Sequence, residues 1–203
     1  MSAASPTGPP PGGAAAVPPG GGPAADATPT TSPADYARRC VEALVGGCPA
    51  PPAPTEPFYS RVAACFCSLK KHGELRGCMG TLAPAAPTLG DEIAHNAFAA
   101  AFRDPRFGPV TEPELGALAY SVDVLGPSEP CERDGLDPRR YGVFVTAQER
   151  RGVLLPDLAG VETVDRQLAI ALSKAGIAPG EPFAIERFTV SRFGEAGCDE
   201  ACG

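Results

Sequence analysis

The chain has 203 residues, with 17 basic and 24 acidic side chains that give a formal net charge of −7. This acidity argues against a nucleic-acid-binding surface, although a local basic patch is compatible with it. No stretch approaches the roughly 20 apolar residues that a membrane-spanning helix needs. The length suits one domain, or one domain with a tail.

The first 33 residues are almost entirely Pro, Gly, Ala, Ser and Thr, with Asp26 as the only charged side chain. Too few apolar side chains are present to offset the entropy lost on ordering, so residues 1–31 are predicted to be disordered. They also lack the basic start and apolar core of a secretory signal, and we expect a cytoplasmic protein with mostly free thiols. One domain is expected over residues 32–195, followed by a short tail over 196–203.

Helical spacing and strand-like runs alternate in the first half of the expected domain. Ser32 is a helix-capping residue followed by proline at the first helical position, and Thr88 caps a second helix with a broad apolar face. Two runs of small and β-branched residues between these helices, separated by a polar turn, indicate a hairpin. The predicted helices are residues 33–45 and 89–103, and the predicted strands are residues 61–69 and 74–82.

The second half contains more strands than helices. Thr111 and Glu114 form a capping box over a short helix, and Gly176 ends a longer helix near the C-terminus. Strands in adjacent hairpins, interrupted by single helices, indicate an α+β fold with a mixed, largely antiparallel sheet covered by helices. The predicted helices are residues 111–118 and 164–175, and the predicted strands are residues 119–125, 141–147, 152–155 and 183–193.

The strand that begins at Glu74 carries the side chains that suggest chemistry. On a regular strand, Leu75 and Met79 would point to the core, and Arg76 and Cys78 would point together to the other face, about 7 Å apart. A guanidinium beside a thiol favours the thiolate, which is the better nucleophile or metal ligand. The alternative is that Arg76 pairs with a structural acid and Cys78 fills space.

Two glycines in the same strand, Gly77 and Gly80, mark a bulge or a close approach by a ligand.

The two histidines, His72 in a turn and His95 on the polar side of a helix, are expected on the surface. The sequence therefore identifies no base for Cys78. No G-x-G-x-x-G or G-K-[ST] loop is present, which argues against a nucleotide-phosphate cradle of either familiar type.

The run ELRGCMGTL at residues 74–82 resembles the signature of the AmmeMemoRadiSam system protein A family, also called the AMMECR domain. The similarity continues in order through AFRDPRFGPV, AYSVDVL, RRGVLLPDLA and KAGI to the closing strand. The resemblance implies two subdomains with a cleft near the Arg-Gly-Cys segment. It also implies two partners, a Memo-like protein and a radical S-adenosylmethionine protein.

The resemblance also widens the set of candidate site residues. The catalytic candidates are Cys78 and Arg76, and the candidate binding residues are Gly77, Gly80, Thr81, Asp104, Arg106 and Pro156. Two positions depart from the family pattern. Tyr141 stands where many relatives have His, and Asp157 stands where bacterial relatives commonly carry Gln and animal proteins Glu.

Two functional hypotheses follow. In the first, Cys78 is a nucleophile or acyl carrier and Arg76 holds an anionic substrate group. In the second, the protein is a non-catalytic binding or adaptor protein that presents substrate to its two partners. Cys198 and Cys202 supply half of a zinc site at best, so no metal site is predicted. Neither a cofactor nor an oligomeric state is assigned from the sequence.

Overall fold

The computed structural model describes residues 28–195. The segment predicted to be disordered lies almost wholly outside this range, as do Cys198 and Cys202. The described helices are Pro33–Val45 (α1), Pro57–Ser60 (α2), Leu89–Phe102 (α3) and Val164–Ala175 (α4), with 3-10 turns at Glu112–Ala117 and Arg133–Gly135. The described strands are Cys65–Lys71 (β1), Glu74–Gly80 (β2), Leu118–Leu125 (β3), Glu129–Pro130 (β4), Gly142–Ala147 (β5), Arg150–Leu154 (β6), Ala184–Phe188 (β7) and Val190–Gly194 (β8).

These strands form two sheets, with the orders β2-β1-β3-β8 and β4-β7-β5-β6. The α+β class is confirmed, but every ladder between the described strands is antiparallel, so the expected mixed sheet is replaced by two antiparallel ones. The second sheet and α4 are inserted between β3 and β8. Helices α1 and α3 cover the first sheet and α4 covers the second, which divides the described chain into two subdomains.

One face of the first sheet is buried under α1 and α3. The inward side chains of β1 are Cys65, Cys67 and Leu69, which alternate along the strand and are almost completely buried. Cys40 of α1 joins the same core, and these thiols are free, as the apolar pattern predicted. Because successive side chains of a strand point to opposite faces, Phe66, Ser68 and Lys70 face away from the helices.

The predicted strand at residues 183–193 is in fact two strands that belong to different sheets. It is interrupted at Thr189, whose carbonyl accepts a hydrogen bond of 2.8 Å from the amide of Gly126. The chain leaves the first sheet and returns to it at these two adjacent points. An apolar cluster beside them joins the sheets, with the rings of Phe144 and Phe188 4.5 Å apart.

The hairpin of β1 and β2 differs from the predicted regular ladder. Its turn is His72-Gly73, where both residues have positive φ, as a tight two-residue hairpin turn requires. Farther along, Leu69 lies opposite Gly77 and Lys70 lies opposite Leu75, so Arg76 is an extra residue in β2. This is a β-bulge, and it reverses the alternation of side chains that a regular strand would have.

The bulge lies where α3 approaches β2 most closely. A Cβ atom on Gly77 would lie only 2.2 Å from the backbone oxygen of Ala100 in α3. The missing side chain of Gly77 therefore makes room for the helix. None of the helices in residues 28–195 has the length and apolarity needed to cross a bilayer.

We expect Gly77→Ala to lower the free energy of unfolding by about 1–3 kcal/mol, because the added methyl group overlaps backbone that cannot move aside. Gly116→Ala is the matched control, since a Cβ atom there meets nothing within 4 Å. Its effect should stay within about 0.5 kcal/mol. Denaturant unfolding measures both, and equal effects of the two substitutions would contradict the packing role of Gly77.

Candidate functional site

A cavity of about 430 Å³ lies between the first sheet and the loop that follows β6. Polar and charged side chains dominate the part of its lining that the first sheet contributes. A loop after α3 closes one side, and the loop after β6 forms the opposite wall. The lining residues are Ser68, Lys70, Leu75, Cys78, Arg106, Ser121, Asp123, Leu155, Asp157, Leu158 and Arg192.

The strand register explains why these side chains meet. Ser68 of β1 lies opposite both Cys78 of β2 and Ser121 of β3, so two hydroxyls and a thiol form a row across three strands. In the neighbouring row, Asp123 lies opposite Arg192 and the two form an ion pair with a separation of 2.7 Å. Residues directly opposite each other in an antiparallel pair share a face, which is here the face away from α1 and α3.

Cys78 is held in this row by its backbone and by its neighbour. Its Sγ atom lies 3.2 Å from Oγ of Ser68, which donates a hydrogen bond to the sulfur. Burial raises the pKa of the Cys78 thiol above its ordinary value, and the Ser68 hydrogen bond and the positive charge of Arg106 oppose this rise only in part. The thiol is therefore neutral at pH 7 rather than an activated thiolate.

Arg76 does not lie beside Cys78 in the cavity, so the prediction that the two side chains share a face is wrong. Nε and Nη2 of Arg76 donate hydrogen bonds of 3.0 and 3.1 Å to the carboxylate of Glu114, and Nη2 also donates to the carbonyl of Pro109. Lys71 binds the same carboxylate at 3.1 Å. The bulge turned Arg76 away, and its function in this structure is to hold the segment around Glu114 against β2.

Leu75 was likewise expected in the core with Met79. Met79 does pack against the core under the helices, whereas Leu75 lines the cavity with Cys78 and is 42% exposed. The same extra residue in β2 accounts for both differences.

Asp104 and Arg106 follow α3 and close the outer edge of β2. Oδ2 of Asp104 accepts a 2.9 Å hydrogen bond from the backbone amide of Cys78, and Nη2 of Arg106 donates to the carbonyl of the same residue. The guanidinium of Arg106 also donates hydrogen bonds to both carboxylate oxygens of Asp104, at 2.9 and 2.6 Å. All contacts of the Asp104 carboxylate are thus internal, and its side chain is 2% exposed. The side chain of Arg106 is 53% exposed and lines the cavity.

Gly80 and Thr81 lie at the end of β2 and do not line the cavity. A Cβ atom on Gly80 would lie 2.3 Å from the ring of Phe66, so protein atoms already fill the space beside it. The hydroxyl of Thr81 donates to the buried carboxylate of Glu92, which also accepts from the backbone amides of residues 85 and 86. The structure gives both residues a packing or anchoring role.

Pro156 is buried and does not reach the cavity, but its neighbours do. Leu155 and Asp157 flank it and line the wall opposite the first sheet. The amide of Asp157 donates a 2.8 Å hydrogen bond to the carbonyl of Pro138, which fixes the loop at this point. Pro156 therefore positions two cavity residues.

Sequence reasoning missed most of the cavity floor, namely Ser68, Lys70, Ser121, Asp123 and Arg192. A signal for them does exist. Polar residues recur at every second position within strands that are otherwise apolar, which indicates one polar face. Both histidines are exposed and outside the cavity, as predicted. Within residues 28–195, no group of three or more His, Cys, Asp or Glu side chains is arranged to hold a metal ion.

Comparison with known proteins gives consistent results. The AMMECR1 family model matches residues 34–195. A protein of Thermotoga maritima is 49% identical over 141 residues, which cover 68% of this chain and 81% of that protein. A protein of Clostridium acetobutylicum is 46% identical over 142 residues, which cover 70% of this chain but only 30% of that longer protein. The crystal structure of the uncharacterised protein PH0010 from Pyrococcus horikoshii has a TM-score of 0.73 and 28% identity, covering 81% of this chain and 90% of that one.

We expect Asp104→Asn to lower the free energy of unfolding at pH 7 by about 2–3 kcal/mol, because a buried charged hydrogen-bond acceptor is lost. The hydrogen bonds from the Arg106 guanidinium hold the pKa of Asp104 well below its usual range. The stabilisation is therefore full above the unfolded pKa of about 3.9 and disappears as the pH falls through the lower folded value.

Denaturant unfolding at pH 7 and pH 3 measures this effect. The difference between the wild-type protein and the variant should be smaller at pH 3. Asp134→Asn, at an exposed aspartate away from the cavity, is the control and should change little at either pH. A difference that is the same at both pH values would refute the proposed charge dependence.

Proposed function

The chain belongs to the AMMECR1 family, and from that premise we propose that it binds a small anionic organic molecule in the cavity between its first sheet and the loop after β6. The observation that carries the proposal is the set of basic side chains on the cavity wall. They are Lys70, Arg106 and Arg192. A recessed cavity with a few convergent polar groups is the usual form of a small-molecule site.

Arg106 is the best placed of these groups. Its Nε and Nη2 atoms are fixed by Asp104 and by the Cys78 carbonyl, whereas Nη1 makes no hydrogen bond within residues 28–195. The guanidinium is therefore held in one orientation with donors still available. A prearranged guanidinium loses little side-chain entropy on binding a carboxylate or phosphate.

Lys70 supports the same assignment from the floor of the cavity. Its side chain is only 6% exposed and lines the cavity. Beside it, the hydroxyls of Ser68 and Ser121 supply neutral donors and acceptors in the row that includes Cys78. Cations and hydroxyls together suit the several oxygen atoms of a carboxylate or phosphate group.

Cysteine-dependent catalysis on the bound anion is the second candidate function. In its favour, Cys78 lines the cavity, accepts a hydrogen bond from Ser68 and lies near the charge of Arg106. Against it, burial raises the thiol pKa, and neither histidine is near. Binding without covalent chemistry at Cys78 therefore has the stronger support.

The family resemblance adds a wider role. The protein is component A of a three-protein modification system with a Memo-like protein and a radical S-adenosylmethionine protein, and it presents the bound anion to them. The resemblance of the sequence motifs to the AmmeMemoRadiSam system protein A family suggests this role, and the cavity supplies a place where a substrate could be held. Co-purification of either partner with the full chain tests the assignment.

We expect small carboxylates or phosphate esters to bind the full chain, and Arg106→Gln to weaken that binding at least about tenfold, because a charged hydrogen-bond donor is removed. Calorimetry with glutarate, citrate and ethyl phosphate measures it. Arg103→Gln is the matched control, since Arg103 is exposed, lies near the ring of Phe98 and does not line the cavity. If none of these anions binds, or if both variants behave alike, the anion-binding proposal fails.

For Cys78 we expect slow alkylation at pH 7 and a rate that rises with a midpoint above the ordinary thiol value of about 8.5, because burial raises its pKa. Iodoacetamide labelling from pH 6 to 10, followed by peptide mass spectrometry, measures the profile. Cys48 is exposed and serves as the internal reference for access to the reagent. A midpoint well below 8.5 would instead indicate an activated thiolate and favour the catalytic candidate.

A further inference from the structure

The acidic side chains around the cavity are not equivalent. Asp104 is bound by Arg106, and Asp123 is bound by Arg192. Asp157 lines the cavity as well, but its carboxylate accepts no hydrogen bond and forms no ion pair within residues 28–195. The cavity therefore combines Nη1 of Arg106, which makes no hydrogen bond within residues 28–195, with the Asp157 carboxylate on the opposite wall.

The backbone at Asp157 is a second and independent observation. Its φ is +56°, in the left-handed region that few residues other than glycine adopt. Aspartate tolerates this conformation better than most side chains, but it is still strained. The bond from the Asp157 amide to the Pro138 carbonyl holds it there. Local strain of this kind tends to occur at ligand sites, because the surrounding structure maintains it to aim a particular group.

We propose that the ligand is a small zwitterion, in which an acidic group meets the Arg106 guanidinium and a positively charged amino group meets Asp157. This inference rests on the anion-binding function proposed above and specifies its substrate class. A ligand with opposite charges at its two ends satisfies both walls of the cavity, whereas a simple anion leaves the Asp157 carboxylate facing it without a partner.

The position of Asp157 also gives the amino group a structural task. Asp157 belongs to the loop after β6 in the second subdomain, whereas Arg106 and Lys70 belong to the first. A zwitterion therefore bridges the two subdomains, and its charged hydrogen bonds are stronger than neutral ones. Removal of the amino group from the ligand, or of the carboxylate from Asp157, abolishes the contact to the second subdomain. The contact between the acidic group of the ligand and the first subdomain remains.

The test uses two matched pairs of probes that differ only in an amino group: glutarate with glutamate, and ethyl phosphate with 2-aminoethyl phosphate. Calorimetry with the full chain should show, in at least one pair, that the amino compound binds at least about tenfold more tightly. Asp157→Asn should abolish that preference, because the side chain that meets the amino group loses its charge.

Asp157→Gly separates binding from folding. Glycine adopts positive φ without strain, so the midpoint of thermal unfolding should be no lower than that of the wild-type protein, while the preference for the amino compound is lost. Glu149→Gln, at an exposed acid in the turn between β5 and β6, is the control and should retain the preference.

The outcomes distinguish this inference from the function on which it rests. If both members of each pair bind the wild-type protein equally, or if Asp157→Asn keeps the preference, the zwitterion inference is overturned and anion binding stands. If none of the four probes binds, both proposals fail. A preference that is present in the wild-type protein and absent from both Asp157 variants supports the inference.

Discussion

The bulge in β2 determines which side chains reach the cavity, and the other features of the site depend on it. Helix α3 lies so close to the strand that only a glycine fits at position 77, and Arg76 is the extra residue beside it. Without the bulge, Arg76 would face the cavity and Leu75 would face the core. With it, Arg76 binds Glu114 and Cys78 lies in a row of hydroxyls. The two residues of the apparent arginine–cysteine pair thus have different surroundings. Arg76 binds Glu114, and Cys78 lines the cavity.

Asp104 converts the exposed edge of the same strand into a wall of the cavity. An edge strand presents unpaired backbone groups that would otherwise pair with another chain. Here the buried carboxylate accepts from the Cys78 amide, and the guanidinium of Arg106 covers the carbonyl. The same contacts orient Arg106 toward the cavity. One set of contacts therefore protects the strand edge and places Arg106 at the cavity.

The cavity itself results from the order of the strands. Because the second sheet is inserted between β3 and β8, the described chain from residue 28 to 195 crosses between subdomains at Gly126 and Thr189, which are hydrogen-bonded to each other. The apolar cluster around Phe144 and Phe188 packs the sheets together near that crossing. Away from it, the polar face of the first sheet and the loop that carries Asp157 remain apart, which leaves a cavity with walls of different charge.

The sequence alone determined the features that depend on neighbouring residues. Thr88 was recognised as a helix cap, and the predicted capping box at Thr111 and Glu114 is present. The order of several motifs identified the family. The sequence could not show that Arg76 and Cys78 point in different directions. That follows from the bulge in β2, which lies where α3, from elsewhere in the chain, packs against the strand. The tertiary structure also decided that Arg106 and Asp157 share a cavity, since residues 51 positions apart meet only through the packing of separate elements.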